Sequence, residues 1–223
     1  ALTSVGLFNS FTYLSLVHTQ VINASLFNTA IPAIIILLCF LFKIEKTNKY
    51  QIAGLIISIL GILSIITRLN LETIISLNFN KGDLIMIGGV ITWGLYSAFL
   101  KRKKFHLPLL TLVHVLCSFG LIFIFPQFIY EFVQGQKIEF SVNLFYILIF
   151  LALFPSIGSY YCWAGAVSII GANRAGIFLS LIPLFSTLMA IFFFREEFHF
   201  FHLIGAILII LGLFLSNKEI KNA

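Results

Sequence analysis

Residues 140–173 read FSVNLFYILIFLALFPSIGSYYCWAGAVSIIGAN, 34 consecutive positions without an Asp, Glu, Lys or Arg. A helix needs about 20 predominantly apolar residues to cross the hydrocarbon of a bilayer, and it tolerates little ionisable character at its centre. This stretch spans with residues to spare, and it has company. Residues 1–42, 52–67, 84–100, 105–130, 175–194 and 198–217 are free of the same four residue types. The eight acidic residues, Glu45, Glu72, Asp83, Glu131, Glu139, Glu196, Glu197 and Glu219, therefore fall between these runs or at their ends.

Composition follows from that layout. The chain is 60% hydrophobic and 10% charged, with a mean hydropathy of +1.07, where soluble domains carry about 25% charged residues. The polar stretch His18-Thr19-Gln20-Val21-Ile22-Asn23 divides the first run, which gives eight spans near 3–18, 23–42, 51–67, 82–100, 108–130, 143–166, 172–194 and 199–217. A membrane β-barrel would show alternating segments of about ten residues, and these runs are longer and continuously apolar. The fold class is an all-α integral membrane protein. Cys39, Cys117 and Cys162 lie inside apolar runs without CxxC or Cys/His spacing, so they read as small buried hydrophobes. Neither a metal nor a cofactor is expected. The chain opens at Ala1 on an apolar run that lacks the basic flank of a signal peptide, and it reads as a fragment.

Alternating loops put Lys43, Lys46, Lys49, Lys101, Arg102, Lys103, Lys104, Arg174, Lys218 and Lys221 on one side, and Arg68, Lys81, Lys137 and Arg195 on the other. The positive-inside rule assigns the first side and the C-terminus to the cytoplasm. The net charge of +6 is then topology and contact with anionic lipid, and it requires no nucleic acid.

A shift of 151 residues lays 23–65 over 174–216 without a gap: Pro32 falls on Pro183, Glu45 on Glu196, Gly54 on Gly205 and Gly61 on Gly212. A repeat of that length holds five helices, and an odd number forces the second copy to enter the membrane from the opposite side. Such inverted repeats build secondary transporters with substrate near the midplane. Residues 1–67 are then the last three helices of the first repeat, 68–81 an inter-repeat periplasmic loop, 82–217 the complete second repeat, and 218–223 a cytoplasmic tail. The arithmetic calls for about 70 further residues upstream, enough for two helices, and a ten-helix bundle of which eight helices are present.

The pattern Gly82-Asp83, Trp93-Gly-Leu-Tyr96, Lys101-Arg102, Tyr160-Tyr-Cys-Trp163 with Ala166, Gly171-Ala-Asn-Arg174-Ala175, Pro183, Glu196, Gly205 and Gly212 resembles the EamA family of the drug/metabolite transporter superfamily. Tyr13, Pro32, Glu45, Gln51, Gly54 and Gly61 repeat it in the first half. The resemblance implies a ten-helix transporter of small metabolites, in the bacterial inner membrane, with a central cavity between inverted halves. Arg195-Glu196-Glu197 departs from a family pattern that usually has Gly before its Glu.

Polar side chains in hydrocarbon need partners or a watery cavity. Ser156, Ser159, Tyr160 and Trp163 fall at i, i+3, i+4 and i+7, one helical face. Asn9 and Thr12 correspond to Tyr160 and Trp163 under the same shift, and share a face with Tyr13. Trp93, Tyr96 and Ser97, and Ser25, Asn28 and Thr29, form two more such stripes. The expected substrate-binding residues are Asn9, Thr12, Tyr13, Asn28, Trp93, Tyr96, Ser156, Ser159, Tyr160 and Trp163. Interhelical hydrogen bonding accounts for the same stripes equally simply. Pro32 and Pro183 are expected within helices, as static kinks or as unwound points facing a site. Gly54, Ser58 and Gly61, with Gly205 and Gly212, make small-residue faces for packing inside the bundle or, alternatively, for a homodimer. No carboxylate is expected at mid-membrane depth, which favours neutral or zwitterionic amino-acid-like or nucleoside-like solutes over cations exchanged for protons. Rival readings are a non-transporting scaffold and a membrane-embedded enzyme. The five histidines, His18, His106, His114, His199 and His202, are too scattered to supply an obvious catalytic pair.

Overall fold

A computed structural model describes residues 1–19, 21–70, 72, 75, 80–102, 107–135, 140–195 and 197–218. Half of the 68–81 loop, Lys103, Lys104, His106, Lys137, Glu139, Glu196 and the tail beyond Lys218 lie outside them. The helices are α1 (Leu7–His18, entered through a π-helical turn Leu2–Gly6), α2 (Val21–Asn28), α3 (Ile31–Leu41), α4 (Lys49–Ile66), α5 (Lys81–Lys101) and α6 (Leu109–Val133). They continue as α7 (Val142–Leu151), α8 (Ser159–Ile170), α9 (Ala172–Phe178), α10 (Leu181–Phe194) and α11 (Phe200–Ser216). Among the described residues six runs are long and apolar enough to cross a membrane: Asn23–Leu41, Lys49–Ile66, Lys81–Lys101, Leu109–Val133, Val142–Ile170 and Ala172–Phe193, with Phe200–Ser216 one residue short of the 18 that define them. These, with α1 and its entry turn, stand where the eight charge-free spans place them.

Local chemistry fixes several ends. Asn48 and Gln51 form a capping box at the start of α4, the Asn48 Oδ1 accepting from the Gln51 amide at 2.8 Å and the Gln51 Oε1 from the Asn48 amide at 3.1 Å. Asn80 and Asp83 do the same for α5. The run Val142–Ile170 extends past the expected end at 166 because a glycine stops it: Gly171 takes φ +89°, which favours a residue without Cβ.

Two spans are broken in the middle. The chain turns at Thr29-Ala30 between α2 and α3, and at Leu179-Ser180 between α9 and α10. Tight i to i−3 bonds hold both turns, Ala30 N–H to Phe27 O and Ser180 N–H to Ile177 O, each 3.0 Å. The breaks match the unwound alternative, with the prolines just beyond them rather than mid-helix. Each lies in the first turn of a new segment, where the missing N–H would have lacked an intrahelical acceptor in any case.

The two ends of the paired sequence meet. Helices α4 and α11 pack backbone to backbone: a Cβ on Gly61 would stand 2.8 Å from Gly205 O, and a Cβ on Gly54 would collide with Gly212 O and the Ser216 backbone. Small residues permit this close approach, so these faces are consumed inside the chain and are not free to bind a second copy. Ile36, Leu55, Ile62, Ile177, Ile209 and Leu213 form the adjoining core. A larger cluster, including Ile35, Cys39, Val90, Tyr96, Leu112, Tyr160 and Val167, joins α3, α5, α6 and α8. By contrast α7 and the following π-helical stretch Ala152–Gly158 bury no residue and present an apolar surface, as a lipid-facing element does.

Candidate functional site

A cavity of about 550 Å³ lies where the two breaks approach each other. Its walls are Ser25, Asn28, Thr29, Ile31 and Pro32 from the first broken span, and Leu179, Ser180, Ile182, Pro183, Ser186 and Thr187 from the second. Phe8, Trp93, Ser159 and Trp163 close one flank, and Ile62, Ile65 and Ile66 another. No Asp, Glu, Lys, Arg or His is among the lining residues. A neutral, largely apolar hollow with a few hydroxyls and one amide is the result.

The aromatic flank is one connected group. The Trp93 ring lies 4.7 Å from Phe8, 5.3 Å from Tyr96, 5.7 Å from Trp163 and 5.8 Å from Tyr160, centroid to centroid. Each tilted pair of this kind adds about 0.5–1.5 kcal/mol beyond area burial, so the flank is rigid. Its polar counterpart is incompletely satisfied. Asn28 Oδ1, Trp163 Nε1 and Ser180 Oγ are buried without a hydrogen-bond partner among the described residues. An unpaired buried polar atom costs about 1–3 kcal/mol, and all three belong to residues that line the cavity.

Of the expected binding residues, Asn28, Trp93, Ser159 and Trp163 line the cavity. Tyr96 and Tyr160 are buried directly behind Trp93. Asn9 and Thr12 lie on α1, half-buried, with the Asn9 Nδ2 donating to Val5 O at 3.0 Å. Tyr13 is 69% exposed, on the outer surface. Ser156 is also exposed and away from the cavity. It sits in the π-helical stretch, which contains Pro155 and adds a residue to the turn, so an i, i+3 reading across it loses register. The Ser159 hydroxyl donates to the Pro155 carbonyl there.

Sequence reasoning missed the α10 wall. Ser180, Pro183 and Thr187 share one face at i, i+3 and i+7, and Ser180 is the 151-residue counterpart of Thr29, so the same shift contained the signal. It also missed a contact at the end of the molecule remote from the cavity. Glu45, in the loop after α3, accepts from the Ala172 amide at 2.9 Å and the Asn173 amide at 3.0 Å, capping α9. Asn173 Nδ2 donates to Thr47 Oγ1 at 3.3 Å beside it. At the opposite end Asp83, buried, accepts from Thr19 Oγ1 at 2.5 Å and the Asn80 amide at 2.9 Å, with Asn23 Nδ2 at 3.4 Å. Asp83 is an intramembrane-edge carboxylate with its valences filled by helix termini.

A helical membrane protein whose two interrupted spans enclose a charge-free cavity has the build of a solute carrier. The chain belongs to the EamA-like transporter family, whose model matches residues 1–67 and 80–218, and it is a membrane transporter. It is 26% identical over 215 residues to the uncharacterized transporter YyaM of Bacillus subtilis, covering 96% of this chain and 70% of that one. An uncharacterized transporter of Archaeoglobus fulgidus is 28% identical, with 98% of this chain and 74% of that protein covered. A solved crystal structure superposes with a TM-score of 0.76 at 17% identity, over 97% of this chain and 74% of that chain. It supports the fold alone.

Proposed function

We propose that this protein carries neutral or zwitterionic small metabolites, amino-acid-like or nucleoside-like, by alternating access at the cavity between its broken helices. The observation that carries this reading is the pairing of Asn28 Oδ1, Trp163 Nε1 and Ser180 Oγ, all without partners, with a rigid aromatic flank in a cavity that no charged residue lines. A solute with a flat apolar body would lie against Trp93 and Trp163. Its donor would satisfy Asn28 and its acceptor the indole N–H.

The same reading divides the chain at 1–67 and 82–217 into inverted halves, and places the lysine-rich end in the cytoplasm. In support of alternating access, the cavity uses the last turns of α4, and residues of α2–α3 and α9–α10 that lie away from the 43–49 loop. That loop is where Glu45 ties the first half to α9. Glu45 thus acts as a bolt that holds the lysine-rich end shut while the cavity is displaced toward the other end.

Counterflow uptake of a labelled metabolite panel into liposomes tests the reading, with Trp163→Ala and Asn28→Ala beside the parent chain. Saturable uptake of a neutral solute that both substitutions reduce is the expected result. Uptake untouched by either, from protein of unchanged helicity, would remove the cavity from the mechanism, and uptake of nothing would favour a scaffold.

A further inference from the structure

A second hollow, of about 870 Å³, lies at the lysine-rich end of the α4–α11 pair. It runs along α11 from Ile210 past Phe214 to Lys218, and Ile57 and Phe178 also line it. Phe214 is 84% exposed, which in an aqueous setting would be costly and in a bilayer means contact with acyl chain. Eight residues of helix rise about 12 Å, close to the roughly 15 Å that one leaflet contributes to a bilayer's hydrocarbon core. The groove therefore has the length of one leaflet, and a charged rim at its mouth.

That rim is doubled. The Lys218 ammonium lies 5.3 Å from the centre of the Tyr50 ring, and the Lys49 ammonium lies 5.5 Å from the same ring. The two lysines are 169 residues apart in sequence, and no carboxylate among the described residues pairs with either. The two like charges share one interfacial tyrosine, and an anion beside that ring is attracted to both. An apolar groove one leaflet deep, with Lys218 at its mouth and Lys49 against the same tyrosine ring, fits one chemistry.

We infer that this groove binds an anionic phospholipid, its acyl chain along Phe214 and Ile210 and its headgroup phosphate between Lys49 and Lys218. The ligand is specified by charge complementarity at the mouth and by length along the groove. The groove is separate from the solute cavity, with which it shares no lining residue.

Native mass spectrometry of the purified full chain, with phosphatidylglycerol or phosphatidylcholine added at equal concentration, tests this directly. The parent chain is expected to retain one phosphatidylglycerol about tenfold more strongly than phosphatidylcholine, since each lysine near an anionic headgroup contributes a several-fold preference. Lys49→Gln with Lys218→Gln should abolish that preference, and Lys49→Arg with Lys218→Arg should keep it. Lys43→Gln with Lys46→Gln, which removes the same charge elsewhere at that end, should leave it intact. Equal retention of the two lipids by the parent chain would overturn the proposal, as would an unchanged preference in the Lys49/Lys218 glutamine pair. Displacement of the lipid by soluble glycerol phosphate would also overturn it, because the site would then read a free phosphate.

Discussion

The two broken spans share a plan and differ in how their leading halves are held. Both break three residues or so before a proline, at positions 151 apart within one residue, and both give hydroxyls to one cavity. The second leading half, α9, is capped from the other half of the chain by the Glu45 carboxylate. The first, α2, instead ties to the start of α5 through Asn23 and Asp83. Positions about 151 residues apart thus share a backbone break, and polar residues that differ between them set how each leading half is held. On the alternating-access reading proposed above, that asymmetry corresponds to one point of the cycle.

The largest effect is expected where the halves meet. Gly212→Leu should give little folded protein, because the α4 backbone at Gly54 and the Ser58 side chain occupy the space; overpacking costs about 1–3 kcal/mol even where neighbours relax, and backbone cannot. Size-exclusion profiles of Gly212→Leu and Gly212→Ala check this, and a well-folded leucine variant would break the account of the seam. Next, Trp163→Ala should cut solute uptake tenfold or more, since it removes part of the aromatic flank of the cavity and a buried indole N–H that has no partner among the described residues. Glu45→Ala should lower thermal stability by about 2–3 kcal/mol through loss of two charge-assisted hydrogen bonds, and Glu45→Gln should recover part of it. Asp83→Asn should destabilise by about 1–2 kcal/mol, because an amide can keep some but not all of the bonds from Thr19, Asn23 and Asn80. Ser156→Ala, exposed on the π-helical stretch, should change uptake less than twofold.

How much of this was legible is best seen residue by residue. Charge-free runs located the spans, since desolvation of charge is the largest single cost in a membrane and is visible in every window. Helical spacing singled out Trp93, Ser159 and Trp163, which line the cavity on regular stretches of helix. It misassigned nothing about Ser156 except its register, which the π turn shifts and no periodic reading anticipates. Tyr13 satisfies the same face pattern as Asn9 and Thr12 but lies at its edge, and a stripe has no means of marking where the cavity ends. Glu45 was legible only as a repeat marker. Its role depends on a backbone amide 127 residues away, and tertiary contacts between a carboxylate and a helix end leave no periodicity in sequence. Pro32 and Pro183 marked the breaks correctly while lying just beyond them, because proline is best accommodated in the first turn after an interruption.

The measurement that tests this account most directly is the labelling rate of Thr187→Cys, in a chain whose Cys39, Cys117 and Cys162 are replaced, by a membrane-impermeant thiol reagent applied from each side of sealed vesicles. Thr187 lines the cavity. Labelling is predicted to be faster from the side opposite the lysine-rich end, and Glu45→Ala should raise the rate from the lysine-rich side severalfold. Equal rates from both sides that Glu45→Ala leaves unchanged would contradict the bolt, and with it the claim that one end of the cavity is held shut.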